Sequence, residues 1–208
     1  DRPQKQNAET SDKMQVLMVG APTTLIKKYQ RVLTMAGLNL VNVETEILST
    51  IRSLIYPFAT ADRTPPSTVV ISINTISTSL AIVKDGILIF TYSIPMGGVA
   101  INRVIESDLG LNSTQAEEYK KTYGVVKEGV GQNISRAVEP ILTSMLTEVK
   151  KALAFYSQKY SNDTPIQQIL LSGGSAKLPG IDLFFANNTG IETVTANPWR
   201  VLASQQIP

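Results

Sequence analysis

Cysteine and histidine are both absent from the 208 residues. Without thiolate or imidazole there is no zinc site of the usual ligand types, no Ser-His-Asp triad, no cysteine nucleophile and no disulfide. Any catalysis has to rest on carboxylates, lysines, hydroxyls and backbone amides. The lack of cysteine fixes no compartment, because it suits a reducing cytosol and an uncrosslinked outside protein equally. Long apolar runs are missing as well. None approaches the roughly 18 residues that span a bilayer, and the polar start, Asp1 to Lys13, lacks the apolar stretch of a signal peptide, so direct membrane insertion is not expected. Nor is there a block of one charge. The 19 basic and 17 acidic residues give a formal charge of +2 and are scattered, which argues against nucleic acid or anionic lipid as a partner. The lysine pairs 27–28, 120–121 and 150–151 read as solvated helix faces.

What is present is a chain that is 43% hydrophobic, enough for one large or two small soluble, globular domains. After a polar lead-in, Met14 to Gly20 reads as a buried strand, with Thr23 or Thr24 capping an amphipathic helix (Leu25, Ile26, Tyr29, Val32, Leu33, Ala36) that Gly37 closes. Leu38 to Glu44 looks like another strand, and Thr45 to Tyr56 a short helix. Two prolines in Ala59–Ser67 make it the best domain boundary. Three β-rich runs follow, the second and third joined by Asp85-Gly86, a type I′ hairpin dipeptide. Their apolar runs are nearly continuous, so helices should cover both faces of the sheet. Then come helices over Val99–Asp108 and Ser113–Tyr123, the latter with Thr114 and Glu117 at capping-box spacing. A long helix from about Ile134 to Tyr160 buries Ile141, Leu142, Met145, Leu146, Val149, Leu153 and Tyr156, with Pro140 starting or kinking it. A strand, a Gly173-Gly174-Ser175 turn, a short helix and a last strand end the chain.

Three stretches could carry chemistry. The Gly173-Gly174-Ser175 turn lets backbone amides approach a ligand at a helix N-terminus, or is only a turn needing positive φ. The hairpin Ser72–Ser79 offers amides and hydroxyls to phosphates, or is a polar loop. Glu117 and Lys120, three apart on one helical face, could grip a ribose and a base, or pair with each other in solvent. Asp85, Asp108, Asp163 and Asp182 read as turn, helix-end or surface residues.

Taken in chain order, the Ser72–Ser79 hairpin, the Glu117–Lys120 helix and the Gly173-Gly174-Ser175 turn, with "IPMGG" before the helices and "ANPW" after the last strand, resemble the PilM family of type IV pilus assembly proteins, within the actin-like ATPase superfamily. Ala116, Glu117, Lys120, Gly173, Gly174, Ser175, Lys177, Pro179 and Gly180 match its motifs. The resemblance implies an α/β, actin-like ATPase (ribonuclease H-like) fold. Residues 1–12 are a polar lead-in, 13–62 a partial subdomain 1C with a connecting helix of 1A, and 67–208 subdomain 2A with a small 2B insertion at about 102–133. It also implies a fragment lacking the N-terminal part of subdomain 1A, with its first phosphate hairpin.

By the same resemblance, ATP with Mg is the cofactor to consider, held by Asn74, Thr75, Glu117, Lys120, Gly173, Gly174, Ser175 and Lys177. Where the family hairpin has an aspartate and a glycine, this chain has Ser72 and Asn74. A hydroxyl cannot supply the carboxylate charge, and an asparagine narrows the room for phosphates, so weak or no hydrolysis is expected and no catalytic or metal-binding residue is assigned. The implied function is a cytoplasmic scaffold of a type IV pilus or related type II secretion platform, peripheral to the inner membrane. It would bind a PilN-like cytoplasmic tail, other platform proteins and the assembly ATPase. An active ATPase or sugar-kinase relative, or a filament protein like FtsA, are the alternatives.

Overall fold

The computed structural model describes residues 17–55, 65–129, 131–161 and 165–199. The chain divides into two compact units, residues 1–43 and 44–208.

Among its described residues the first unit holds one regular element, α1 (Thr23–Met35). It closes as expected: Gly37 sits at φ 74°, and its own amide and that of Leu38 bond back to Thr34 and Leu33 at 3.0 and 2.9 Å, the Schellman arrangement that a left-handed glycine permits. Its start differs from expectation. Pro22 is the N-cap and no side chain caps the helix, so Thr23 and Thr24 are already helical. Proline's fixed φ suits a helix start without a side-chain acceptor. Residues 17–20 and 38–45 form no strand, against the reading of Met14–Gly20 and Leu38–Glu44; Met14 to Val16 lie outside the described residues. An apolar run becomes a strand only beside another strand that completes its hydrogen bonds; here Val41 is 90% exposed.

The second unit opens with α2 (Glu46–Leu54) and contains a sheet of β1 (Thr68–Ile73), β2 (Thr78–Lys84), β3 (Ile87–Ile94), β4 (Gln168–Ser172) and β5 (Glu192–Thr195). Spatial order is β3-β2-β1-β4-β5, antiparallel from β3 to β1 and parallel from β1 through β4 to β5. Asp85 and Gly86 turn the second hairpin with φ of 52° and 74°, the sign a type I′ turn demands. All six residues of β1 are buried, as a central strand covered on both faces should be.

On one face, Val69, Ile71 and Ile73 pack with α3 (Gly98–Leu109), α5 (Gly131–Lys159) and α6 (Ile181–Thr189), through Ile101, Leu142, Val149 and Phe185. On the other, Val70, Ala81, Val83 and Leu170 meet Ile51, Leu54 and Ile55. The boundary stretch Ala59–Ser67 lies largely outside the described residues, as do the lead-in, Asp163 and residues 200–208. α5 passes straight through Pro140, which leaves the carbonyl four residues back without its helical donor. α4 (Ser113–Tyr123) is capped by Asn112 and Gln115, whose side chains and backbones exchange both capping-box bonds. The Thr114–Glu117 alternative fails because the helix begins one residue before Thr114, and Glu117 is then free to act elsewhere.

Candidate functional site

Parallel neighbours β1 and β4 end side by side, Ser72 opposite Ser172. Ligands in α/β sheets bind outside such carboxyl ends. Beyond them lie the β1–β2 turn and the Gly173–Ser175 turn, the latter running into a short 3-10 helix over Gly174–Lys177.

Glycines weld these parts together. Gly173 takes φ +87°, and a Cβ there would fall 2.4 Å from the Ile73 carbonyl and 2.8 Å from Asn74 Oδ1. At Gly97 a Cβ would lie 2.4 Å from the Asn74 carbonyl. The amides of Gly98 and Val99 then donate to the carbonyls of Asn74 and Thr75 at 2.8 and 2.9 Å, while Asn74 donates its own amide to Ser77 at 3.0 Å. The start of α3 is thus tied to the hairpin. Around Gly98 the other turn and α4 converge: a Cβ there would be 2.9 Å from Ser175 Oγ and 3.6 Å from Lys120 Nζ.

Lys120 is 5% exposed, which corrects its placement on a solvated face; only Lys121 keeps that position. Lys120 Nζ donates to Glu117 Oε2 at 2.6 Å and to the Gly98 carbonyl at 3.5 Å. Glu117 also accepts from Asn102 Nδ2 at 2.7 Å and faces Lys121 Nζ at 3.1 Å. The hydrogen bond from Lys120 above all, then those from Asn102 and Lys121, hold the Glu117 carboxyl down at about 2, against the desolvation that would raise it. Asn102 Oδ1 is left buried with no hydrogen-bond partner. It is an acceptor waiting for a hydroxyl or amino donor.

Of the residues singled out in the sequence, Asn74, Glu117, Lys120, Gly173 and Ser175 come together here. Gly174 borders open space, with nothing within 4 Å of its Cβ position. Thr75 lies exposed at the hairpin tip and Lys177 exposed at the end of the 3-10 turn. Asn74 is not an open phosphate seat. Its Oδ1 accepts from the buried Ser72 hydroxyl at 3.4 Å, and its Nδ2 donates to Glu46 Oε1 at 2.6 Å.

Asn102 and Glu46 were not legible in the sequence, being 15 and 28 residues from the partners they reach; Gly97-Gly98 was signalled by the "IPMGG" stretch of the family resemblance. Asp85 lies in the hairpin turn and Asp108 in α3, while Asp182 caps the Leu183 amide at 2.9 Å. Among the described residues no cluster of acids could hold a metal, and no helix is long and apolar enough to cross a membrane. A pocket of about 410 Å³ opens elsewhere, between α5, α6 and the Val125–Lys127 loop. Its Leu142, Leu183 and Phe184 walls carry none of the candidate groups.

The architecture is shared with solved structures. One is a PilM-PilN type IV pilus biogenesis complex, with TM-score 0.69 and 24% identity, covering 85% of this chain and 48% of that one. Ethanolamine utilization protein EutJ from Carboxydothermus hydrogenoformans matches with TM-score 0.66 and 24% identity over 88% of this chain and 60% of that one. MreB5 of Spiroplasma citri bound to ADP gives TM-score 0.67 and 19% identity over 86% and 62%. The chain therefore spans about half to three-fifths of the length of these structures, and its fold is the actin-like ATPase fold. The sequence profile of type IV pilus assembly protein PilM matches residues 4–207. With nearly the whole chain inside that match, this protein belongs to the PilM family of type IV pilus assembly proteins.

Proposed function

We propose that the chain is a scaffold component of a type IV pilus or related type II secretion platform, on the cytoplasmic side of the inner membrane. There it binds the cytoplasmic tail of a PilN-like membrane protein. The observation that carries this is the family match over residues 4–207, and the likeness to a PilM solved in complex with PilN supports it.

The fold implies ATP with magnesium as a ligand, and the two ends of the site suit it unequally. At the nucleoside end the residues fit. Gly174 leaves room, Ser175, Glu117 and Lys120 supply polar groups, and the buried Asn102 oxygen lacks the donor that a sugar hydroxyl or base amino group would provide. At the phosphate end they do not. Ser72 offers a hydroxyl where magnesium needs a carboxylate, Asn74 fills the turn beside Gly173, and Glu46 brings a negative charge to it. The site is thus a degenerate one, suited to a structural ligand rather than to hydrolysis. Phosphoryl transfer needs charge neutralised at the leaving oxygens, and none of Ser72, Asn74, Thr75 and Gly173 carries a positive charge.

Titrating the longest native chain into a labelled PilN-type tail peptide, read by fluorescence anisotropy, is the test. Saturable binding is the expected result. Absence of binding by that chain would overturn the scaffold reading.

A further inference from the structure

We propose that Glu46, anchored on Asn74, is the selectivity residue of this site, admitting a nucleoside and turning away its polyphosphate. The inference rests on the nucleotide-site reading above and deepens it.

Asn74 cannot easily yield. Its amide and carbonyl are both bonded, to Ser77 and Gly98 at 3.0 and 2.8 Å, and its Oδ1 lies against Gly173 on one side and the Ser72 hydroxyl on the other. That leaves Nδ2 directed at Glu46, 2.6 Å away. Glu46 in turn is delivered by a fixed element. It is the first residue of α2, whose Ile51 and Leu54, with Ile55 just after them, are sunk in the core under the sheet. Its carboxylate, itself exposed, therefore stands at the mouth of the turn that phosphates would enter.

Among the described residues, no cation cancels this charge. Arg52 on the same helix is paired with Glu44, Lys120 is paired with Glu117, and among the described residues no basic side chain forms an ion pair with Glu46. Each phosphate added to a ligand raises the repulsion, since like charges a few ångströms apart disfavour one another even at a protein surface, where the effective dielectric is about 20. A neutral nucleoside meets none of it and still finds Asn102, Glu117, Lys120 and Ser175.

The test is calorimetry and saturation-transfer NMR on the 208-residue chain, with adenosine, ATP and inorganic tripolyphosphate, each with and without magnesium. Glu46→Gln removes the charge and keeps the shape. Asn74→Ala frees the carboxylate from its anchor, and Glu192→Gln removes an equal charge at the other end of the sheet, where Glu192 pairs with Gln168. The expected result is adenosine bound more tightly than ATP by the native chain, with Glu46→Gln improving ATP and tripolyphosphate binding about tenfold and leaving adenosine unchanged. Asn74→Ala should give a smaller gain in the same direction, and Glu192→Gln none. If ATP binds the native chain better than adenosine, or Glu46→Gln behaves like Glu192→Gln while both ligands bind, selectivity does not lie at Glu46 and the nucleotide-site reading survives. If no ligand binds any folded variant, that reading falls and takes this inference with it.

Discussion

Gly97 and Gly174 differ only in what surrounds them. A methyl on Gly97 would press to 2.4 Å from the Asn74 carbonyl and 2.8 Å from the backbone of Ile76 and Ser77, whereas one on Gly174 meets nothing within 4 Å. Backbone held in a sheet hairpin cannot move aside as a side chain can. Gly97→Ala should therefore lose about 2–4 kcal/mol, and Gly174→Ala stay within about 0.5 kcal/mol of the native chain, both read from urea midpoints. Glu117 gives a pH prediction. Its carboxyl is lowered from 4.5 to about 2 in the folded protein. The stability it contributes is thus complete above the ordinary value and is lost as pH falls through the lowered one. With 37% of its side chain exposed, solvent screens the pair and the contribution is modest, about 1 kcal/mol. The gap between the native chain and Glu117→Gln should be constant above about pH 5 and close between 4.5 and 2, checked by denaturation at pH 6 and pH 3.

α4 carries the Glu117–Lys120 pair, and its register depends on where it is capped. Because Asn112 accepts from the Gln115 amide at 2.9 Å and Gln115 returns the bond at 3.1 Å, Asn112→Ala should cost about 1 kcal/mol. Thr114→Ala should cost almost nothing, since helix-interior alanine is at least as favourable as threonine. Thermal melts of the two variants separate these capping schemes directly. β1 shows the reverse case, where local pattern and final structure agree. Its Thr-Val-Val-Ile-Ser-Ile run is rich in β-branched residues that pack well on a pleat, and it became the fully buried third strand of five. The apolar run Leu38–Glu44 has the same local look and forms no strand, because propensity describes a fit to neighbours that this run does not have.

At the scale of the whole molecule, the stabilising cores belong to the second unit. Among the described residues, every member of both apolar clusters lies at or after Ile47, and α1 contributes no buried residue. A chain of residues 44–208 should accordingly fold alone, with a cooperative circular-dichroism melt within about 4 °C of the full chain. A loss of the transition would show that residues 44–208 do not fold alone. Both clusters flank the central strands, so the site at the ends of β1 and β4 rests on the most buried part of the fold. Asn74, Gly98 and Ser175 stand on that footing.

From β1 onwards the order of strands, hairpin, helices and glycine turns was written in the sequence, because alternation, Asp-Gly chemistry and helical spacing act over a few residues. So was family membership, since the glycine, glutamate and lysine motifs occur together in one order. Tertiary structure alone decided that Lys120 is buried, that Asn102 holds Glu117 and keeps an unmet acceptor, and that Glu46 crosses 28 residues to reach Asn74. Those outcomes depend on which elements pack against which, and burial and long-range hydrogen bonds come into being only with that packing.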